Sequence, residues 1–471
     1  MRLLSIIDQI FIQLESRTQP MHVGGLFLFE PPENAGDYFA SELMQKMQST
    51  NTPPNFPFNQ VLDKLFFWQD DESFEIYQHF RHIALPKPAR IRELLQYVSL
   101  EHGKLLNKDN PMWECHIIEG IEPETQGKPP RFALYFKIHH SLVDGIAAMR
   151  LMQKSLSHSK TEEMTLPLWS LLTRHRNQID AILPTNKTTK QIIKEQISTI
   201  RPVFKELKNS AIQLTGKHPD FVSTFDAPPS MLNQRITASR RIATQSYSLE
   251  RFKTLSTQLK VTVNDIVLAV CAGALRNYLI ENDELPKKPL IAFVPISLRK
   301  DNSANGNQIS FILANLGTHL HHPLDRLQTI HKSMNDGKRR FSRMTQAEVI
   351  NYSVVAYSWA MLNLMTSVYP KKQAFNLIIS NVPGSNKPLY WNGAKLQALY
   401  PASILMNGQA LNITLATYVN KIEFGITACD DVLPHIQNML KLIEQEICEL
   451  EKITTVKTSK ITGNFKKPNH K

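Results

Sequence analysis

The chain has 471 residues, 42% of them hydrophobic and 20% charged, with four cysteines and a formal net charge of +12. That balance excludes a disordered, collagen-like or small disulfide-stapled protein and suits two globular domains of roughly 200 residues each. Cys115, Cys271, Cys429 and Cys448 are scattered without a CxxC pair, which points to a reducing cytoplasm and away from structural zinc.

Leu3, Leu4, Ile6, Ile7, Ile10, Phe11 and Leu14 recur at helical spacing, so a short amphipathic helix opens the chain. Asp8 interrupts it too early for the apolar core of a signal peptide. Pro20-Met21-His22-Val23-Gly24-Gly25 then leads into a strand, Leu26 to Phe29, and the paired glycines permit close approach of a neighbouring strand or a ligand. A proline-rich loop, Pro53 to Pro57, precedes Leu65-Phe66-Phe67-Trp68. His79 to Pro86 follows, then a helix over Arg92 to Leu106 and a loop entering a strand over Asn110 to Gly120.

Phe132 to Ile138 is rich in apolar and aromatic residues and reads as a buried or half-buried strand. From Asp144 to about Leu156 the pattern is helical, with Ile146, Met149, Leu151 and Met152 available for a buried face. Between the two lie His139, His140, Asp144 and Gly145, spaced His-His-x-x-x-Asp-Gly. A strand end, short loop and helix start commonly present a reactive side chain. Imidazole, whose ordinary pKa lies nearest neutrality, can accept and return a proton there. Adjacent histidines alone are more often surface or core filler.

Residues 157–230 change character. Charges rise, glycine nearly vanishes, and Ile192, Ile193, Ile197, Ile200, Val203 and Phe204 recur as in a helical connector. Arg235, Arg240 and Arg241 come next. Val263-Asn264-Asp265 opens a helix that Asn264 can cap, with Val267, Leu268, Cys271 and Leu275 on its buried face. Leu290 to Val294 is a strand running into Pro295-Ile296-Ser297-Leu298-Arg299. Tyr352 to Tyr369 carries no charge over eighteen residues, yet its polar groups favour a core helix over a membrane span. Phe375 to Gly384 is a strand ending in a turn. The tail from 452 to 471 holds Lys452, Lys457, Lys460, Lys466, Lys467 and Lys471 and no acid. It is expected to be disordered and to favour an anionic membrane or lipid-droplet surface. No zinc-finger spacing or aromatic-rich RNA signature supports a nucleic-acid partner.

The His-His-x-x-x-Asp-Gly stretch resembles the active-site signature of the CoA-dependent acyltransferase superfamily, which includes chloramphenicol acetyltransferases and peptide-synthetase condensation domains. Leu14 to Glu30, Val263 to Asp265, Pro295 to Arg299 and Phe375 to Gly384 resemble its wax ester synthase/diacylglycerol acyltransferase branch, from about Leu4 to Val432. The family's Pro-Leu-Trp is here Pro111-Met112-Trp113, which keeps the volume. Its Leu-Asp-Arg is Leu106-Asn107-Lys108, which loses an acidic group at Asn107. Both read as scaffold positions. The resemblance implies an α/β (α+β) fold of two chloramphenicol-acetyltransferase-like mixed-sheet domains, 1–156 and 236–451, joined by a helical connector, 157–235.

It further implies transfer of a long-chain fatty acyl group from CoA to a long-chain alcohol (wax ester), to diacylglycerol (triacylglycerol), or to both. His140 is the implied general base, with no covalent acyl-enzyme and no cofactor, acyl-CoA being a substrate. His139 orients the loop. Asp144 supports the site, either paired with Arg299 or as an ordinary helix-start carboxylate, and Gly145 permits close approach. Asn264 is either a helix cap or a donor to the oxyanion. Ser380 and Asn381 are candidates for the pantetheine arm, Arg240 and Arg241 for a CoA phosphate, and Met406 for the acyl or alcohol tunnel. Ser141 and Cys115 are not read as nucleophiles, and metal binding through His139, His140 and Asp144 is set aside. Two other readings make different demands. A small-molecule O- or N-acyltransferase of this fold would use acetyl-CoA and a short polar acceptor; a non-catalytic lipid-binding protein would tolerate loss of His140. The expected location is cytoplasmic and peripheral to membrane or lipid inclusions. Acceptor preference, chain length and oligomeric state are not written in these motifs.

Overall fold

A computed structural model of the chain describes residues 2–4, 6–36, 38–49, 52–63, 67–161, 167–171, 222–223, 226–297, 309–342, 363 and 369–463. The first half carries β1 (Arg2–Leu3), α1 (Ile6–Leu14), β2 (His22–Glu30), α2 (Phe39–Gln48), β3 (Gln60–Asp63) and β4 (Phe67–Asp70). It continues with β5 (Phe80–Ala84), α3 (Ile91–His102), β6 (Trp113–Ile121), β7 (Arg131–His139) and α4 (Gly145–Lys154). The second carries β8 (Arg240–Ser248), α5 (Leu249–Leu259), α6 (Val263–Glu281), β9 (Ile291–Ser297), β10 (Ile309–Asn315) and α7 (Pro323–Ser342). After it come β11 (Leu377–Val382), β12 (Tyr390–Trp391), β13 (Ala394–Ala402), β14 (Leu411–Tyr418), β15 (Lys421–Cys429) and α8 (Asn438–Gly463).

Two six-stranded mixed sheets form, with strand orders β12-β13-β2-β7-β6-β5 and β10-β9-β11-β14-β15-β8, beside a three-stranded sheet β1-β4-β3. This is the mixed α/β architecture expected. Membership of the sheets is not sequential, however. β13 leaves the second half and pairs antiparallel with β2, from Lys395↔Glu30 to Ala402↔Gly24. Residues 390–402 thus complete the first sheet, an exchange that the boundaries at 156 and 236 do not contain. Most of the connector, including Ile192 to Phe204, lies outside the described residues, as do Arg299 and most of Tyr352 to Tyr369.

β7 is buried along its whole length, and its two-residue period sorts its side chains. Phe132, Leu134, Phe136 and Ile138 enter the core of the first half. Ala133 and Tyr135 enter the smaller cluster toward β8, which Ile242 joins. Lys137 and His139 share that second parity. The sheet therefore turns a polar strip toward the other half, where α3 packs on β8. Lys137 Nζ sits 3.2 Å from Glu114 Oε2 of β6, directly across the strands. Gly24 of β2 faces β7 so closely that a Cβ would lie 2.9 Å from Phe136 O. A neighbouring strand accounts for that glycine.

Two expectations are corrected. α6 is capped by Thr262, whose hydroxyl accepts from Asp265 N–H at 3.1 Å while the Asp265 carboxylate accepts from Thr262 N–H at 3.0 Å. A hydroxyl with an acid three residues on forms a reciprocal capping box, which places Asn264 inside the first turn and not at the cap. The chain from 452 is also not free: α8 runs to Gly463. Ile443, Ile447, Leu450 and Thr454 continue one buried stripe along it, and an established helix extends at low cost. Residues 464–471 lie outside the described residues. Among the described residues one helix, α6, is long and apolar enough to cross a membrane, and its apolar window is 72% buried in the second core.

Candidate active site

The β7–α4 loop is held by backbone bonds from two directions. His139 N–H donates to Met112 O at 2.9 Å and His140 N–H to Met21 O at 2.8 Å, so the approaches to β6 and β2 both grip it. Leu142 N–H then returns to His139 O at 3.0 Å, closing a tight turn. Asp144 caps α4: its backbone is extended (φ −72°, ψ 160°) and Oδ1 accepts from Ala147 N–H at 2.7 Å. This is the helix-start role; the Arg299 alternative falls outside the described residues. Among the described residues, only Val23 Cγ1, at 3.9 Å, comes within 4 Å of a Cβ built on Gly145, apart from its chain neighbours and its helix backbone. The space beside that glycine is open, not filled by backbone.

His140 is half-buried and stacks on Phe11 of α1, ring centroids 4.3 Å apart and planes 26° from parallel. Burial pulls its pKa down to about 4, against the Asp144 carboxylate and a hydrogen bond to its own backbone, which favour charge. The ring is therefore neutral at neutral pH. One ring nitrogen therefore keeps a lone pair able to take up a proton.

His139 is fully buried. Its Nδ1 accepts from Ser141 N–H at 3.2 Å and lies 2.6 Å from Ser141 Oγ. An amide nitrogen can only donate, so Nδ1 is bare and Nε2 carries the hydrogen. Nε2 lies 3.4 Å from Glu15 Oε1, both side chains 0% exposed. Glu15 Oε1 also accepts from Met21 N–H at 3.2 Å, and Lys108 Nζ sits 2.9 Å from Oε2. Burial alone would raise the Glu15 pKa, but the neighbouring His139 ring and the Lys108 ammonium hold it down to about 2. His22 is the cross-strand partner of His139 and is itself buried, its Nε2 3.1 Å from His102 O. Burial and neighbouring charge keep the His22 ring neutral.

The structure thus gathers His139, His140, Asp144 and Gly145 on one loop–helix unit. The other sequence candidates sit on other elements. Arg240 donates to the carbonyls of Thr237, Ser239 and Thr18, and Arg241 pairs with Asp430 at 2.8 Å, so both guanidiniums are already committed. They line an open groove of about 520 Å³ with Arg17, Lys104, Leu100 and Leu105. Ser380 is half-buried and Asn381 exposed at the end of β11. The chain beyond them reaches toward α4, for a Cβ on Gly384 would lie 3.3 Å from Gln153 Nε2. Met406 is half-buried in a turn closed onto Gln409, next to Asn407, whose N–H donates to Gln19 Oε1 at 2.7 Å. Asn264 is half-buried, while Asp265 beside it bonds His331 Nδ1 at 2.9 Å. Cys115 is buried, and desolvation pushes its thiol far above the range where a thiolate forms.

Sequence reasoning missed Glu15, Phe11 and Lys108. Phe11 was read only as an apolar helix position, and Lys108 as scaffold. One signal was available: an acid following an amphipathic helix and preceding a strand that begins with histidine.

Residues 4–267 match the wax ester synthase/diacylglycerol acyltransferase catalytic domain and residues 305–451 the WS/DGAT C-terminal domain. The chain is 52% identical over 450 residues to O-acyltransferase WSD of Acinetobacter baylyi, covering 95% of this chain and 96% of that one. It is 39% identical to a putative diacylglycerol O-acyltransferase of Mycobacterium tuberculosis, covering 95% and 99% of the two chains. The wax ester synthase/diacylglycerol acyltransferase from Marinobacter aquaeolei VT8 superposes with a TM-score of 0.78 at 42% identity, over 97% of this chain and 100% of that one. The starter condensation domain of rhizomide synthetase shares the fold, at a TM-score of 0.56 and 10% identity, over 96% of this chain and 94% of that one.

Proposed function

The chain belongs to the wax ester synthase/diacylglycerol acyltransferase family, and from that membership we propose that it transfers a long-chain acyl group from CoA to the hydroxyl of a long-chain alcohol, of diacylglycerol, or of both. The observation that carries the reading is His140, a neutral imidazole at the end of β7 whose ring is fixed by Phe11 and by the loop's backbone bonds.

A neutral alcohol is a poor nucleophile. His140 takes its proton as the oxygen attacks the thioester carbonyl, help worth on the order of 10²–10⁴ in rate. The tetrahedral oxyanion collapses, the C–S bond breaks, and the imidazolium returns its proton to the departing CoA thiolate. No bond to the protein is needed. Asn264 serves as the candidate oxyanion donor, a part worth about 10²–10³ where it has been removed from other enzymes. Ser380 and Asn381 face the pantetheine arm and Met406 the chains, the flexible thioether suiting variable apolar ligands. Arg240 and Arg241, being committed elsewhere, contribute positive potential near a CoA phosphate and not free donors. The basic end beyond α8 associates with an anionic lipid surface, from which insoluble acceptors arrive.

The test follows thiol release from palmitoyl-CoA. Release should require added long-chain alcohol or diacylglycerol and should vanish in His140→Ala while the melting temperature stays near wild type. Release without acceptor, or turnover in His140→Ala, would overturn the assignment. Truncation after Gly463 should weaken binding to anionic liposomes while sparing turnover; unchanged binding removes the surface proposal.

A further inference from the structure

A buried carboxylate is costly unless it is paired, and replacing a buried ion pair by apolar residues is often neutral or stabilising. Stability alone therefore does not explain why Glu15, with a side chain 0% exposed, stands just beyond α1. What it touches does. One oxygen accepts from Met21 N–H, and Met21 O in turn accepts from His140 N–H. The other oxygen is held by Lys108 at 2.9 Å. The oxygen that accepts from Met21 also lies 3.4 Å from His139 Nε2, near enough for electrostatic attraction though not aligned as a hydrogen bond. One helical turn earlier, Phe11 stacks on His140.

We propose that Glu15, anchored by Lys108, is a positioning residue for acyl transfer: it keeps His139 in its Nε2–H form and thereby sets the turn that aims His140. The chain of contacts runs in one direction. With the hydrogen on Nε2, His139 Nδ1 is free to accept from Ser141 N–H. That bond fixes the backbone immediately after His140, while the Met21 link fixes the backbone at His140 itself. Moving the hydrogen to Nδ1 would set it against the Ser141 amide hydrogen and leave Nε2 bare against a carboxylate. Both repulsions would be relieved by shifting the loop. Orientation of a catalytic imidazole by a partner carboxylate has a known scale, since forcing the wrong tautomer in a direct triad costs about 10⁴ in rate. Here the carboxylate acts through one further residue, so a loss of about 10–100-fold is expected, the range typical of supporting contacts one shell out. The inference rests on the reading of His140 as the base.

The experiment uses the full chain. Imidazole ¹⁵N spectra, with the His139 signals assigned by their loss in His139→Asn, should show Nε2–H in the wild type and a mixture in Glu15→Gln. The same variant should lose about 10–100-fold in kcat with the KM values for acyl-CoA and alcohol within about threefold of wild type. Lys108→Arg, which keeps the cation, should stay within about twofold in kcat, whereas Lys108→Met should fall further. A wild-type His139 protonated on Nδ1, or a Glu15→Gln enzyme with undiminished kcat, overturns the proposal. Should Glu15→Gln fail to fold, equal kcat in Lys108→Met and Lys108→Arg overturns it instead. Absence of wild-type turnover would count against the acyl-transfer reading alone, because the His139 tautomer is read without substrate.

Discussion

Gly384→Ala tests how the second half is seated against the histidine loop. Gly384 stands just beyond β11, after Pro383, and a Cβ there would lie 1.9 Å from Thr417 O and 3.3 Å from Gln153 Nε2. Real Cβ contacts stay beyond 3.0 Å, so the backbone carbonyl and residue 384 must separate by about 1.1 Å (3.0 − 1.9). The first neighbour is main chain of β14 and cannot swing aside. The second is the α4 residue next to the helix end, on the element that Asp144 caps. Overpacking of this kind costs about 1–3 kcal/mol, or roughly 2–12 °C in melting temperature for a domain of this size. The shift also bears on the Gly384 N–H to Thr417 Oγ1 bond of 3.1 Å, so turnover should fall alongside stability. Gly36→Ala is the control, since none of the described residues comes within 4 Å of its Cβ; it should change stability by less than about 1 kcal/mol. Differential scanning fluorimetry and thiol release on both variants decide the matter. If Gly384→Ala melts and turns over like Gly36→Ala, the tight seat of Gly384 is not a constraint on the protein.

Three further outcomes are expected. Because burial holds His140 to a pKa of about 4, kcat/KM should be flat through neutrality and fall only as pH drops toward that value; an acid limb near 6.5 in the pH–rate profile would contradict it. Ser141→Ala should retain most of the turnover, because the backbone N–H still occupies His139 Nδ1, and intact-mass spectrometry after acyl-CoA without acceptor should show no acyl adduct. Glu423 is fully buried, bonded to Ser246 Oγ, and desolvation raises its pKa from 4.5 to about 7. A raised folded-state pKa gives stability that is complete below 4.5 and lost as pH climbs through 7, an effect on the order of 3 kcal/mol. Glu423→Gln should therefore gain on the wild type in melting temperature between pH 5 and pH 8.5, and a pH-independent difference would refute the assignment.

Much of the site's local frame was legible before any coordinates. The apolar run of β7, the break at His139-His140 and the helical pattern from Gly145 are set by periods of two and 3.6 residues, which a sequence displays directly. The same parity explains why His139 and Lys137 leave the core face that Ile138 and Phe136 occupy. Asp144 at the α4 start follows from its short acceptor side chain beside an extended backbone. Asn264 shows where such reasoning slips: two cap-capable residues two positions apart compete, and Thr262 wins because Asp265 closes the reciprocal bond.

The sequence by itself determined the strand and helix on either side of the histidine pair, the two-residue parity of β7 and the family to which the motifs point. Tertiary structure decided which distant groups meet that pair. The insertion of β13 beside β2, the Glu15–Lys108 pair behind His139, the Phe11 face on His140 and the commitment of Arg240 to Thr18 across 222 residues all depend on chain crossing. Repeating apolar spacing fixes which face of an element is buried. A single charged side chain has no such repeat, and its partner is chosen only when the sheets close and a carboxylate shut off from water must find a counter-charge.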